Sequence, residues 1–323
     1  MLTIAARSGS AAAMKVVHVA VAVIENTSGE ILISKRLDHL HMGGFWEFPG
    51  GKVEENETVL QALQREIREE VALDIHTAQP LLQIPFQYPE KRVLLDVWHV
   101  KNFSGVAQSC EGQQILWAPR QALSAYQFPP ANRAILTALQ LPDQLLITGN
   151  FSNTDECILR TKNAIEQSGL RAVMLRAHHL DAMEYKTLAV AMAQLCQQHS
   201  VKFLLNTDAE SFIEQADGLH LTAQRLLACT ERPVSAHKLF GASCHNEAEV
   251  QHAVAVGADY ITLSPVLPTA SHSDASPLGW EGLASLLPDC FLPVFALGGL
   301  NADHLPQAKS LGLLGIACIS AWW

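Results

Sequence analysis

Residues 50–70 read GGKVEENETVLQALQREIREE, in which two glycines and a polar turn precede a segment of helical periodicity. The apolar spacing predicts a helix over 58–71, with Thr58 as its N-cap residue. Because helix positions three and four apart share a face, Glu66 stands beside the glutamates that follow it at those spacings. Like charges placed in this way destabilise a bare helix, so the cluster needs an explanation.

Two explanations fit the acidic cluster. A solvated helix face, balanced by Arg65 and Arg68, is typical of a charged helix. The second explanation is a magnesium site, because carboxylates beside a tight glycine turn offer the hard oxygen ligands and the backbone carbonyl that Mg²⁺ takes. Since Mg²⁺ also binds substrate phosphates, this explanation predicts phosphoanhydride chemistry. The glycine loop that precedes the helix favours the magnesium site.

The same stretch resembles the Nudix box, G-x5-E-x7-R-E-U-x-E-E-x-G-U, where U is a bulky aliphatic residue. Ala72 stands where the pattern has glycine, but this position carries no ligand atom. The resemblance extends over residues 15–143, is to the MutT-type 8-oxo-dGTP diphosphatases, and implies an α/β/α sandwich. The matching residues are Gly51, Glu57, Arg65, Glu66, Ile67, Glu69, Glu70 and Leu73.

The resemblance implies a hydrolase in which water attacks a phosphorus of a nucleoside triphosphate and releases a nucleoside monophosphate and pyrophosphate. Glu57 and Arg65 are expected to form an ion pair that steadies the loop. Glu69, Glu66 and Glu111 are the candidates for the general base. The implied ligands of Mg²⁺ or Mn²⁺ are the Gly50 carbonyl, Glu66, Glu69, Glu70 and Glu111, and the implied catalytic residues are Glu66, Glu69 and Glu70.

Base recognition is predicted at Phe128-Pro-Pro-Ala-Asn132, which matches a MutT-type signature whose asparagine reads the base. Guanine presents two acceptors, N7 and O6, and oxidation at C8 turns N7 into a donor. The Asn132 amide can accept from N7–H and donate to O6. With unoxidised guanine the amide oxygen faces an acceptor, at a cost of about 1–3 kcal/mol. The alternative role of Asn132 is a helix N-cap.

Four further residues are expected around the nucleotide. Arg36, His41 and Phe48 match pocket positions of the MutT type, and Glu90 lies near another. A surface charge is the alternative for Arg36, and core packing is the alternative for Phe48.

Other patterns of the first half predict strands and a closing helix. Val16–Ile24 and Ile31–Ser34, joined by a turn at Asn26–Gly29, are expected to form a hairpin. Leu94–Val100 and Ile115–Ala118 are predicted strands, and 132–139 is a predicted helix.

After Pro142 and Asp143 the pattern changes to alternating strands and amphipathic segments, which predicts a (β/α)8 barrel of TIM type that lacks its last helix. We expect a flexible tail at 1–14, a Nudix domain at 15–143 and the barrel at 144–323. Because no low-complexity linker separates the domains, close packing is expected. The predicted barrel strands are Leu145–Thr148, Ala172–Leu175, Lys202–Leu205, Gly218–Leu221, Leu239–Ala242, Tyr260–Leu263, Val294–Leu297 and Gly315–Ile319.

The barrel half resembles thiamine phosphate synthase and its thiazole tautomerase relative. Glycine-rich backbone at the ends of late barrel strands can cradle a phosphate. We therefore expect Gly298, Gly299 and Ser320 to bind the phosphate of a thiamine precursor, the alternative being that these glycines only turn the chain. The resemblance rests on 257–269, 278–282, 296–301 and 319–321.

The synthase residues are incomplete in this chain. Arg176 is kept, but His178 replaces a lysine, and Thr207 and Arg225 replace aspartates that ligate Mg²⁺ in the synthases. This predicts a barrel that is inactive as a synthase and binds a phosphorylated ligand. A register shift that brings Asp208 into the site would leave an active synthase or tautomerase open.

His245 matches the histidine of the tautomerase, a position at which the synthases often carry histidine too. It therefore does not discriminate between these two activities.

The composition of this 323-residue chain limits the kinds of partner that it is expected to bind. The net charge of -10 repels nucleic-acid backbones, so duplex binding is not expected, whereas a small nucleotide with its metal remains compatible. Seven scattered cysteines without a Cys-x-x-Cys pair fit the reducing cytoplasm. No apolar run reaches the roughly 18–20 residues that span a membrane. The oligomeric state is not predicted.

Overall fold

A computed structural model describes residues 16–269 and 276–323. The predicted tail at 1–14 lies outside the described residues. Two open sheets form the first part of the chain and a closed barrel forms the second, which confirms the predicted two-domain fold.

The first domain consists of a four-stranded mixed sheet of order β4-β1-β6-β5 and a three-stranded antiparallel sheet of order β3-β2-β7. Strand β1 runs parallel to β6 and antiparallel to β4, so it is central to the larger sheet. The strands are β1 (Val16–Ile24), β2 (Glu30–Lys35), β3 (Trp46–Glu47), β4 (Gly50–Lys52), β5 (Asp74–Gln87), β6 (Arg92–Ser104) and β7 (Ile115–Pro119).

The predicted hairpin of β1 and β2 is wrong. The turn exists, but one isolated bridge between Glu25 and Ile31 is the only pairing found between the two strands. Beyond that bridge the strands enter different sheets, because β1 pairs with β4 and β6 whereas β2 pairs with β3 and β7. Local turn chemistry predicted the reversal of the chain, and long-range pairing decided the partners.

Strand β5, the longest in the domain, had no counterpart in the sequence prediction. It contains Pro80 and Pro85, which lack the N–H that a central strand needs. Because β5 is an edge strand that pairs only with β6, these prolines are tolerated, and the pairing shows register shifts near Pro80.

Helix α1 (Val59–Val71) begins at the predicted cap, with Thr58 and Gln61 forming a reciprocal capping box. Its buried face packs on β1, β4 and β5. The helix ends at Ala72, which adopts the left-handed conformation with φ 57°. Alanine therefore replaces the glycine of the Nudix box at a position whose left-handed backbone conformation favours glycine.

The predicted closing helix is divided into two short elements. A 3-10 turn spans Pro130–Asn132, and helix α2 spans Arg133–Ala138. This α2 segment packs against β5 and leads into the barrel.

The barrel closes through eight parallel strands, as predicted. No helix occurs in the crossover at 207–217 or after the last strand. The strands are β8 (Gln144–Ile147), β9 (Ala172–Leu175), β10 (Lys202–Asn206), β11 (Gly218–Leu221), β12 (Leu239–Cys244), β13 (Tyr260–Leu263), β14 (Val294–Leu297) and β15 (Gly315–Cys318). The described helices are α3 (Thr154–Ser168), α4 (Ala182–Gln198), α5 (Ala223–Ala228), α6 (Glu247–Ala255), α7 (Gly279–Ser285) and α8 (Leu305–Ser310).

The two domains share one hydrophobic cluster, which confirms the expected close packing. Ile84 and Ile135 of the first domain belong to the same cluster as Leu145, Tyr260 and Phe295, which lie in or begin barrel strands. The first domain therefore docks on the amino-terminal ends of the barrel strands, away from the glycine loop that follows β14.

Polar contacts also cross this boundary. The N–H of Gln83 donates to the Gly312 carbonyl at 2.8 Å, and Lys309 Nζ donates to the Leu81 carbonyl at 2.9 Å. Burial lowers the pKa of Lys309 to about 8. The contact between the domains is thus dry enough to disfavour a charged amine.

Replacing Ala72 with glycine is expected to raise the free energy of unfolding of the Nudix domain by up to about 1 kcal/mol, because a Cβ is strained in the left-handed conformation. Urea unfolding of the full chain measures the change. Ala62→Gly is the control, since Ala62 is buried in the right-handed middle of the same helix. That variant is expected to lose about 1 kcal/mol or more. A loss of stability in both variants would contradict the assignment.

Candidate functional site

The three glutamates of α1 lie at different depths beside the glycine turn. Glu70 lies deepest, where its Oε2 accepts a hydrogen bond from the Gly50 N–H at 3.0 Å. The Glu66 carboxylate lies so close to Gly51 that a Cβ on Gly51 would overlap it. Glu69 is more exposed, with 60% of its side chain accessible. The helix therefore directs two carboxylates at the turn and leaves the third at the rim.

Glu70 is electrostatically unusual. Burial, together with the negative charges of Glu47, Glu111 and Glu66, raises its pKa to about 8 against the opposing hydrogen bond from Gly50. Four carboxylates therefore lie close enough to influence one another. A bound cation would stabilise the ionised form of this buried group.

The donor set fits a hard divalent cation. Carboxylate oxygens and a backbone carbonyl at a tight turn are the ligands that Mg²⁺ accepts. In the part of the chain that the structure describes, no three carboxylate, imidazole or thiolate groups form a ready-made metal cage. The ligands Gly50, Glu66, Glu69, Glu70 and Glu111 therefore remain predictions, supported by the repulsion around Glu70.

Arg65 connects the loop to the helix. Its Nη2 lies 2.6 Å from Glu57 Oε1, and its Nη1 lies 2.7 Å from Glu66 Oε1. Nη2 also donates to the Lys52 carbonyl at 3.1 Å. The expected ion pair of Glu57 and Arg65 is confirmed, and the same guanidinium also orients Glu66.

Glu111 lies on a loop that is fixed to the end of α1. The Glu70 carbonyl accepts from Gln113 Nε2 at 2.9 Å and from the Cys110 N–H at 3.1 Å. Gln113 Oε1 in turn accepts from the Glu111 N–H at 3.0 Å. Gln113 is buried, and sequence reasoning missed its role because a glutamine in a polar loop gives no local signal.

A cavity of about 260 Å³ opens beside the glycine turn. Phe48 is buried against Phe128, with ring centroids 5.3 Å apart, so it serves both core and cavity wall. Arg36 pairs with Glu47, a half-buried acid that the sequence patterns did not indicate. The predicted residues that line the cavity are Arg36, His41, Phe48, Gly50 and Asn132.

Asn132 is 8% exposed and lines the cavity. Its backbone is right-handed, and its side chain makes no capping hydrogen bond to α2. The N-cap alternative is therefore wrong. A buried amide without such a partner is available to a ligand in the cavity.

Glu90 is not among the residues that line this cavity; Tyr88 and Lys91 from the same turn line it instead. The Tyr88 N–H donates to the Lys91 carbonyl at 2.9 Å, which closes the β5–β6 turn. The sequence pattern indicated the right turn, but the direction of each side chain depends on the turn geometry.

The barrel contains a second cavity of about 400 Å³ at the carboxyl ends of its strands. Gly298, Gly299 and Ser320 line it, together with Arg176 and His178. Both glycines have positive φ, and a Cβ on either would contact the Pro265–Pro268 segment. The backbone therefore requires glycine at both positions, which agrees with the alternative considered from sequence, that these glycines turn the chain. A phosphate-binding role is compatible with the same geometry.

The barrel residues do not fit a magnesium site. Asp208 is absent from the cavity lining; its carboxylate caps the Ser211 N–H at 2.9 Å and lies 3.4 Å from Arg225. Burial lowers the pKa of His178, and the charges of Arg176 and Arg225 lower it further. Arg176 is thus a cationic side chain at this mouth of the barrel, and none of the described residues that line the cavity is an aspartate or glutamate.

Two histidines of the cavity are held in contrasting ways. His245 Nδ1 lies 2.9 Å from Glu249 Oε2, which orients the ring. His220 is fully buried between Ser243 Oγ and Tyr260 Oη, and burial lowers its pKa to about 3. Of the two, only His245 lies beside a carboxylate.

Comparison with known proteins matches the two halves of the chain to two different families. Residues 20–138 match the NUDIX domain family, and residues 145–322 match the thiamine monophosphate synthase family. Nudix hydrolases generally use divalent cations such as Mg²⁺. No helix in 16–269 or 276–323 is long and apolar enough to cross a membrane.

Individual relatives match one domain each. The 8-oxo-dGTP diphosphatase of Escherichia coli (strain K12) is 35% identical over 39% of this chain and 98% of its own length. That of Haemophilus influenzae is 37% identical over 39% of this chain and 92% of its own length. A putative thiamine-phosphate synthase of Geobacter sulfurreducens is 35% identical over 54% of this chain and 84% of its own length. The chain therefore belongs to both families, with a Nudix hydrolase domain followed by a thiamine monophosphate synthase domain.

Proposed function

We propose that the first domain, residues 15–143, is a metal-dependent pyrophosphohydrolase that converts 8-oxo-dGTP to 8-oxo-dGMP and pyrophosphate. The observation that carries this proposal is the buried Asn132 amide, which lines the cavity beside the glycine turn without capping a helix. The similarity to two 8-oxo-dGTP diphosphatases supports it. Removal of an oxidised nucleotide from the precursor pool would avoid DNA damage.

Base selection follows from hydrogen-bond polarity. The Asn132 amide oxygen accepts from N7–H of the oxidised base, and its NH₂ group donates to O6. Phe48 and Phe128 supply an aromatic wall close to the cavity. Because Asn132 is buried, a mismatched acceptor would not be compensated by water.

The phosphate end of the substrate belongs at the glycine turn. Bound Mg²⁺ or Mn²⁺ would neutralise phosphate charge and lower the pKa of the attacking water. Gly50, Glu66, Glu69, Glu70 and Glu111 would hold it. Arg65 Nη1 lies 2.7 Å from Glu66 and 3.6 Å from Glu69, so both carboxylates face one guanidinium, and Glu69 is the more exposed of the two. Glu69 and Glu66 are therefore our candidates for the general base, with Glu111 a third.

The barrel, residues 144–323, is proposed to bind a phosphorylated ligand such as a thiamine precursor without acting as a synthase. The absence of Asp208 from the cavity and its pairing with Arg225 support this. Gly298, Gly299 and Ser320 are the proposed phosphate contacts. The seven free cysteines fit a location in the reducing cytoplasm.

The wild-type chain with Mg²⁺ is expected to hydrolyse 8-oxo-dGTP with a much higher kcat/KM than dGTP. Asn132→Leu is expected to lower this preference by about 10- to 100-fold, because the hydrogen bonds that separate the two bases are lost. Steady-state kinetics on both nucleotides measure the ratio. Asn102→Leu, on the exposed part of β6, is the matched control. Equal kcat/KM values on the two nucleotides for the wild type would point to another substrate.

Glu70→Gln is expected to lower kcat/KM at least about a hundredfold, because the buried ligand loses its charge. EDTA is expected to abolish the wild-type activity. Glu55→Gln removes the same charge from an exposed loop residue and should leave the rate unchanged. Full activity of Glu70→Gln would exclude Glu70 as a ligand.

Thiazole phosphate is expected to raise the Tm of the full chain, since a ligand that binds only the folded state stabilises it by mass action. Ser320→Ala should reduce the shift. Formation of thiamine phosphate from thiazole phosphate and the pyrimidine diphosphate would overturn the proposal of an inactive synthase. The lack of a thermal shift with both thiazole phosphate and thiamine phosphate would overturn the proposed ligand class.

A further inference from the structure

The barrel reaches the nucleotide cavity of the Nudix domain at two separate places. One contact supports the β5–β6 turn that carries Tyr88, and the other supports the start of α2 directly after Asn132. Tyr88 and Asn132 both line the cavity, and both are supported from behind by the barrel.

The first contact is a row of four aromatic rings. Phe291 of the barrel packs on Phe86 with ring centroids 5.6 Å apart, and Phe86 packs on Tyr88 at 4.8 Å. Tyr88 meets His41 edge-on at 5.5 Å. Because Tyr88 and His41 both line the cavity, the row extends from the barrel surface to the nucleotide site.

An ion pair fixes the same turn at its base. Arg92, the first residue of β6, lies 2.6 Å from Asp289 and donates to the Pro288 carbonyl at 3.2 Å. The barrel segment 288–291 therefore holds the β5–β6 turn by a charge contact and by a ring contact.

The second contact is an ion pair next to the base-reading asparagine. Arg133 Nη2 lies 3.0 Å from Asp259 Oδ1. Asp259 is 10% exposed and is held by Arg232 at 2.6 Å and by the Phe240 N–H at 2.8 Å. The carboxylate is thus rigidly placed by the barrel, and Arg133 anchors the first residue of α2 to it.

The metal-binding end of the site is supported differently. Helix α1 packs on β1, β4 and β5, and Glu70 bonds to Gly50 and the 110–113 loop, all within the Nudix domain. Movement of the barrel contacts would therefore change the base end of the cavity more than the phosphate end.

We propose that Phe291 and Asp259 of the barrel are positioning residues for the base end of the nucleotide cavity, so that the barrel contributes to nucleotide affinity and selectivity without touching the substrate. The proposal rests on the nucleotide hydrolase function argued above. It gives the fusion of the two domains a direct consequence for catalysis.

Phe291→Ala in the full chain is expected to raise KM for 8-oxo-dGTP about three- to tenfold, because the ring at the start of the row is lost. The value of kcat should stay within about twofold, since the phosphate end is unchanged. Arg133→Gln should raise KM likewise, and Arg133→Lys should largely restore it, because a lysine keeps a cation within reach of Asp259.

Leu292→Ala is the matched control, since Leu292 packs into the barrel's own hydrophobic cluster. It removes apolar volume next to Phe291 without breaking the row of rings. An unchanged KM in both Phe291→Ala and Arg133→Gln would overturn the proposal. An equal rise of KM in Leu292→Ala would also overturn it, because general loss of barrel stability would then explain the effect.

The experiment distinguishes a failure of the proposed 8-oxo-dGTP specificity from a failure of the proposed positioning role. If the wild type does not prefer 8-oxo-dGTP, the base assignment is wrong, and KM is compared for the nucleoside triphosphate that the chain hydrolyses fastest. A rise of KM for that nucleotide in Phe291→Ala and Arg133→Gln, but not in Leu292→Ala, still supports the positioning role.

Discussion

The burial of one carboxylate governs the architecture of the hydrolase site. Glu70 lies against the Gly50 turn, with three other carboxylates close enough to raise its pKa. Such a group is costly unless a cation compensates it. The capped helix, the glycine turn and the Arg65 ion pairs all serve to hold these acids together. The local fold therefore brings four acids together at the glycine turn, an arrangement that a divalent cation would stabilise.

The contact between the domains is the second constraint. Buried side chains of the first domain and the barrel form one cluster, and burial there lowers the pKa of Lys309. Docking uses the amino-terminal ends of the barrel strands, so the cavity at the carboxyl ends stays open. The two cavities are therefore separated by the barrel itself, while one domain still supports the other.

Sequence patterns predicted helices and strands best where the local pattern matches the burial of the segment in the fold. The barrel strands were correct because buried parallel strands are continuous apolar runs. Strand β5 was missed because Pro80 and Pro85 suit only an edge, and edge position is a tertiary property. The β1–β2 hairpin was wrong because a turn between Glu25 and Ile31 does not decide which strands pair beyond it.

The sequence by itself determined the two families, the glycine turn and the helix with its glutamates, and it showed that the barrel has lost acids. These features depend only on residue type and on spacing along the chain. Only the tertiary structure decided that Asn132 is buried and uncapped, that Tyr88 rather than Glu90 faces the cavity, and that Asp208 pairs with Arg225. Those features depend on which distant segments meet, and a local pattern carries no information on that packing.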